Sequence, residues 1–460
     1  MNIEHSTKRT NKVSVSWCIF ILLLAVVSHP AKGQGSLTLS KAIKDAFLNR
    51  KNIQAGRADL SIRKLQTDAL YRKYWPQLSA EYTYLYNPIL QTSILPIGVF
   101  NPSYPADATK SVQFGTKWSQ TAGVTLNQPL FDVSINRQIK EGKLQDRIAA
   151  AAQAQTEYEL AYTVAQVYID ILLQEAKIRS AIADTNRTWV SYQLLQNKFD
   201  QKRLLKSELN KGKINHNNAV QQYRNAVAQL IEDKVYLLFL IGQNNIEQFD
   251  FAVDTSFIKN EIAATMDTQP IVANIPELQQ LQLKGELIGV QTKTEKAKYL
   301  PTLGLKGYLG ANQYTNNFDP TAANSWFGLS YVGIDLKYPL LTGDDRRKKI
   351  EQLRLQSAQY YQQKEDRTAQ YYKDALVAKI KMEQMLSELK TQEENIGLNE
   401  ESISVYQARL SEGQESASSL NLEEANLQKL EAEYQNNRMQ YQLYFLDYLK
   451  ATGRMEQLWK

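Results

Sequence analysis

Thiol chemistry is nearly absent from this sequence. Of its 460 residues one is cysteine, Cys18, so no disulfide can form within the chain. Histidine is almost as scarce, at His5, His29 and His216. Without the first 33 residues only His216 and no Cys are left, so His-rich metal sites and thiol triads have nothing to build on. A long apolar run is missing too. The one candidate, Val13 to Val27, spans about 15 residues against the roughly 20 that a membrane-crossing helix needs.

That run follows a positive stretch (Lys8, Arg9, Lys12) and precedes a small-x-small site, Ala31-Lys32-Gly33, so residues 1–33 read as a secretory signal peptide. Its removal takes Cys18 and two histidines, leaving His216 alone. Four bases (Lys8, Arg9, Lys12, Lys32) and one acid (Glu4) go with it: 54 and 48 become 50 and 47, a formal charge of +3. The densest basic stretch, Arg346-Arg347-Lys348-Lys349, follows Asp344 and Asp345 and suits a solvated first helical turn; no nucleic-acid partner is expected. Carboxylates are plentiful but fall on helix faces, where solvated ion pairs are the rule. No enzyme activity, catalytic residue, metal or cofactor is expected. An exported chain without a helical anchor is periplasmic, secreted, or held in an outer membrane as strands.

What the sequence does contain is internal repetition. Lys73-Tyr74-Trp75-Pro76-Gln77-Leu78 is echoed by Lys298-Tyr299-Leu300-Pro301-Thr302-Leu303, an offset of 298 − 73 = 225. The stretch Gly123 to Leu130 is echoed by Gly333 to Leu340, offset 210, and Gly242 by Gly453, offset 211. The first half therefore has the longer segment between its strands. The spacing predicts helices over 38–75 and 276–300, each stopped at Pro76 or Pro301. Alternating segments follow. In 77–86 the even positions Leu78, Ala80, Tyr82, Tyr84 and Tyr86 oppose Gln77, Ser79, Glu81 and Thr83. In 112–127 the even positions carry Val112, Phe114, Trp118, Ala122, Val124 and Leu126; 302–314 and 326–338 repeat this less cleanly. A period of two over about 16 residues exceeds an ordinary soluble strand and suits a tilted membrane strand with one wet face.

Heptads come next. Val164, Ile171, Ile178, Thr185, Tyr192 and Phe199 are seven apart, as are Met382, Leu389, Ile396, Ile403 and Leu410. After a turn each run returns: Leu209, His216, Tyr223, Leu230, Leu237, and Leu420, Leu427, Tyr434, Tyr441, Tyr448. Heptads through a turn and back predict two antiparallel helical coiled coils, superposed by an offset of 211. His216 falls on a seam and reads as a packed side chain. Residues 134–201 give roughly 100 Å of helix at about 1.5 Å per residue, and the flanking 38–75 and 206–242 would stack end to end beside it. The second half, with about 25 and 35 residues against 68, matches less well. Of the 26 tyrosines, Tyr82, Tyr84 and Tyr86, with Trp118, Trp326 and Tyr331, fall on strands where a lipid-interface girdle uses Tyr and Trp.

The ordered set resembles the TolC-like outer membrane efflux protein family. It comprises Leu39 to Pro76 entering a strand, two Pro-Leu strand ends feeding long helices, tips at Lys202–Glu208 and Arg409–Gly413, and a closing Leu449-Lys450-Ala451-Thr452-Gly453. The resemblance implies an α+β fold, internally duplicated: an outer-membrane β-barrel with four strands per protomer and twelve in a homotrimer, continuing into an antiparallel coiled-coil tunnel. The expected organisation is a first repeat over 34–242 (β-hairpin 77–130), a linker at the waist over 243–275, and a second repeat over 276–460 (β-hairpin 302–340). It also implies partners: outer-membrane lipid, a periplasmic adaptor (membrane fusion) protein and an inner-membrane transporter.

Family tips often carry Gly; here Gly413 fits, while the equivalent first position is Lys202. Six residues after Gly413 stands Ser419 where well-known members place an acid. Tunnel-mouth candidates are therefore Glu412, Glu415, Glu423, Glu424 and Glu208, and adaptor-docking candidates are Lys202, Arg203, Leu204, Leu410 and Gly413. The function expected is a passive exit duct for efflux or secretion. The alternative is a soluble or peripheral periplasmic adaptor or spacer, which should have one helical hairpin flanked by compact β-domains, whereas two hairpins here each follow a strand pair.

Overall fold

The structure, a computed structural model, describes residues 37–100, 103–243, 252–253, 266–319, 321, 326–340 and 343–460. The expected signal peptide and most of the 243–275 linker lie outside them.

Helix α1 (Leu39–Asn49) starts at an N-cap, where Thr38 Oγ1 accepts from the Lys41 N–H at 3.3 Å. Helix α2 (Lys51–Tyr71) follows after a break at Arg50, whose ψ of 124° is extended. The expected single helix over 38–75 is thus two. Packing supplies the reason: α1 turns aside to bury Leu39, Ala42, Ile43 and Ala46 against the middle of the next long helix, and Phe47 meets Trp459 edge to face. Strand β1 (Gln77–Tyr86) leads to a small ribbon, β2 (Gln91–Leu95) with β3 (Lys110–Phe114), beside a one-turn helix α3 (Ile97–Phe100). Strand β4 (Trp118–Phe131) then enters α4 (Val133–Asp200), capped where Asp132 accepts from the Ser134 N–H at 2.8 Å. The expected continuous strand over 112–127 is also divided: Gly115, at φ +105°, turns the chain so that 110–114 pairs with β2 and not with β1.

Helix α5 (Lys206–Leu240) returns along α4. The second half runs α6 (Pro276–Ala297), β5 (Thr302–Thr315), β6 (Trp326–Lys337), α7 (Asp345–Ser411) and α8 (Ala417–Thr452), with a short 3-10 turn at Met455–Leu458. With α1 set aside, the halves agree better than the sequence suggested: 21 and 35 residues stack beside 68, and 22 and 36 beside 67. Each stack has a close joint at a glycine. Gly242 (φ +72°) lies so near Asn49 that a Cβ would stand 2.8 Å from its carbonyl carbon; Gly453 (φ +73°) would set one 3.0 Å from the Ile271 oxygen. Both positions need positive φ and the missing side chain. Arg50 secures the first joint, its guanidinium 3.8 Å from the Phe239 ring centre and donating to the Phe239 carbonyl at 2.9 Å.

The sheet order is β1-β4-β5-β6, antiparallel throughout. The helices above repeat it: α2 lies against α4, α4 against α6, and α6 against α7. Below the waist the same row continues as α5, α4, α8 and α7. One core sits at that waist, around Tyr168, Ile171, Leu237, Met382 and Tyr441; a second, around Leu195, Leu209, Leu410 and Leu420, fills the far end of the helices. Among the described residues no helix is long and apolar enough to cross a membrane.

Candidate functional site

Register fixes which side chains share a sheet face, because successive residues point to opposite sides. Leu78 pairs with Leu126, Val124 with Leu309, Leu305 with Ile334 and Leu303 with Leu336, so all these share one face with Val332. That face is bare: Leu78, Leu309, Val332, Ile334 and Leu336 are 67–77% exposed. The other face carries Glu81, Thr121, Thr125, Asn127, Lys306 and Asp335, with Lys306 and Lys337 bonded to Asp335 at 3.1 and 3.3 Å. At the end remote from the helices the apolar face becomes aromatic. Trp118 packs on Tyr84, Tyr86 and Phe318 at 5.3, 4.4 and 5.0 Å, and Tyr82 donates to Gln120 at 2.7 Å. Tyr331 departs from the girdle expectation. It lies on the polar face, stacked at 5.7 Å on Tyr308, whose hydroxyl end covers Gly123 and Gly310.

At the opposite end of the molecule the two helical tips are built alike. In the first, the Arg203 N–H donates to the Lys198 carbonyl at 2.9 Å; in the second, Gln414 donates to Arg409, also at 2.9 Å, offset 211. Both turns need a left-handed residue, supplied by Gly413 at φ +80° and by Lys202 at φ +58°. Lys202 is the only non-glycine with positive φ among the described residues. The predicted tip residues divide by burial. Lys202, Arg203, Glu412 and Gly413 are exposed, whereas Leu204 is half-buried and Leu410 is 2% exposed inside the tip core. Glu208 is half-buried in the first turn of α5.

The remaining acids are already engaged. Glu415 accepts from the Ser416 N–H at 3.1 Å and from Ser419 Oγ at 2.9 Å, bonds that hold its carboxyl below the usual range. Glu423 accepts from Asn399 of α7 at 2.9 Å. Glu424 is 2% exposed: Ser191 Oγ of α4 donates to one oxygen, and the other has no hydrogen-bond partner among the described residues. Burial pushes its pKa up, against Arg187, which lowers it. Within a protomer, then, these five acids form no single ring, and Glu424 points between helices.

Glu424 belongs to a polar layer that the heptads did not announce. From α4 come Asp184, Arg187, Thr188 and Ser191; from α8 come Glu424, Gln428 and Glu431. Arg187 pairs with Asp184 and stands 3.9 Å from Glu431, Gln428 donates to Asp184, and burial pushes the Glu431 carboxyl up. His216 of α5 adjoins it, its Nδ1 3.3 Å from Thr188 Oγ1 and its ring 5.2 Å from Trp189, as a packed side chain. The signal was present at 184, 188 and 191 and at 424, 428 and 431, polar residues at helical spacing along apolar seams. Among the described residues no group of three His, Cys, Asp or Glu could hold a metal.

No family model matches the sequence, and no curated protein matches it. Solved structures do match in shape. CusC, whose crystal structures concern transmembrane channel formation, superposes with a TM-score of 0.74 over 90% of this chain and 91% of its own, at 13% identity. VceC, an outer membrane protein of Vibrio cholerae, gives 0.70 over 90% and 96%, at 12%. The MtrE outer membrane channel of Neisseria gonorrhoeae, in its open state, gives 0.69 over 90% and 88%, at 14%. This is the TolC-like fold. Identities this low carry over no single residue; what is shared is the TolC-like architecture of a strand row continued by helices in the same order.

Proposed function

We propose that the chain is one protomer of a trimeric outer-membrane exit duct, working with a periplasmic adaptor and an inner-membrane transporter. The observation that carries this is the open four-stranded sheet. One face bares Leu78, Leu309, Val332, Ile334 and Leu336, the other carries Glu81, Lys306 and Asp335 beside aromatic residues, and its edge strands β1 and β6 have no further pairing among the described residues. An unpaired edge in lipid leaves N–H and C=O groups unsatisfied, so a membrane sheet must close. Four strands are too few, since single-chain barrels begin at about eight. Copies can close it together: β1 and β6 run in opposite directions, so β6 of one copy meets β1 of the next antiparallel and keeps the alternation. Three copies, the number that the TolC-like resemblance implies, make twelve strands. Strands of 14 residues at about 3.4 Å each reach roughly 45 Å, enough when tilted to cross an apolar band of about 25 Å.

A soluble adaptor or spacer would cover its apolar strand face with protein; here that face is open. The bottom of the row, with both tips side by side, is the surface for the adaptor, presenting Lys202, Arg203, Glu412 and Gly413. The test is extraction of isolated outer membranes with alkali and then with detergent. The duct stays with the membrane in alkali and leaves in detergent; release by alkali alone defeats the barrel.

A further inference from the structure

We propose that the lower helical rows of adjoining copies are joined by a seam of opposite charge, α7 of one protomer lying against α5 of the next. The identity of the partner, a second copy of this chain, rests on the trimeric reading above; the charged seam is additional to it. Below the waist α5 and α7 are the two ends of the row α5, α4, α8, α7. Between 381 and 412 there are seven acids and three bases, a charge of −4; between 206 and 231 there are four bases and one acid, +3. Above the waist the edges do not complement each other: 345–374 has eight bases and five acids, +3, and 51–71 has four and two, +2. Opposite charge is confined to the lower half.

The charges sit on the right sides. Met382, Leu389, Ile403 and Leu410 turn α7 toward the packed interior, so Glu394, Leu398, Glu401 and Val405 face away from α8, with Leu398 57% and Val405 50% exposed. On α5, Asn215 faces Asn421 of α8, and the exposed Lys206, Lys213 and Arg224 lie on the side of the helix turned away from α8. Heights agree as well. Counted from the tips at about 1.5 Å per residue, Arg224 lies roughly 27 Å up and Glu394 roughly 26 Å, Lys213 and Glu401 roughly 10 and 15 Å, while Lys206 and Glu412 are at the tip. Among the described residues, none of these six side chains forms an ion pair or a hydrogen bond within its own protomer. Each exposed pair is weak alone and sensitive to salt; a row of them makes the mouth end of the tunnel wall loosen as ionic strength rises, while the paired strands do not.

Cysteine cross-linking tests this, since the only native cysteine is Cys18. Asn210→Cys on α5 and Ala408→Cys on α7 are both exposed and at similar height. In the detergent-purified protein a short bismaleimide should link copies into covalent trimers. Raising salt from about 0.1 M to about 1 M, which shortens the screening length from ~10 Å to ~3 Å, should cut the yield several-fold. Lys213→Glu with Arg224→Glu should cut it likewise, and adding Glu394→Lys with Glu401→Lys should restore it. Native mass of each variant separates the two readings. A trimer with no 210–408 link, or with a link indifferent to both salt and charge reversal, overturns the seam alone. A monomeric parent overturns the trimeric reading, and the seam with it.

Discussion

Two residues at the mouth end carry energetic consequences of their own. Lys202 holds a left-handed backbone that its counterpart Gly413 adopts without cost. A side chain in that conformation costs about 1–2 kcal/mol, partly offset by the greater freedom of glycine in the unfolded chain. Lys202→Gly should therefore stabilise the first tip by roughly 0.5–1 kcal/mol, and Gly413→Lys should destabilise the second by a similar amount. Hydrogen exchange of the tip amides measures both, and equal protection in the two variants would contradict the shared turn geometry. Glu424 gives a pH dependence. Burial raises its pKa above the usual 4.5, so across that window the folded chain holds a proton that the unfolded chain has lost. This contribution to stability is fully present below 4.5 and is lost as pH rises through the raised value. Glu424→Gln should flatten that part of the profile of thermal stability against pH; an unchanged slope would place the titration elsewhere. The layer itself was hard to read because a Thr or Ser on a coiled-coil seam is an ordinary tolerated residue. Only the facing helix shows that Asp184, Ser191 and Glu424 meet.

At the scale of elements, what was legible followed from repetition and period. The long helices, the four strands of the main sheet and both tips stand where heptads and alternation put them, because each pattern reports a face that must be buried or wetted along the whole element. The failures were breaks imposed by neighbours. Nothing in Asn49-Arg50-Lys51 stops a helix; the break exists because α1 has a different surface to cover. Gly115 was visible but continued the alternation of its flanks, so its left-handed turn was concealed. Likewise Tyr331 sits on the polar face because only the register with β5 determines its side. The ribbon beyond Gly115 invites a deletion. The main hairpin is already closed by the Asn87 N–H bond to the Lys117 carbonyl at 2.7 Å, and among the described residues β2 pairs only with β3. Joining Asn87 to Lys117 through a short turn should leave the yield and thermal stability of the assembled protein unchanged. Loss of assembly would mean that the ribbon is part of the copy-to-copy contact.

For the whole molecule, one row organises everything: four strands, then four helices in the same order, then four again, with the chain leaving and re-entering through joints at Gly242 and Gly453. On the proposed reading, a row with two edges unpaired among the described residues and one bare apolar face is completed by further copies. The offsets near 211 already implied this order, but the open edges became visible only when strand pairing was known, since a repeat alone does not say whether its halves close on each other. The number of copies in the assembled particle is therefore the decisive quantity. Native mass spectrometry of the protein, extracted and held in mild detergent, measures it directly. A particle of three chains is the predicted result, with no monomer until the detergent is made denaturing; a folded single chain under the mild condition would contradict the account.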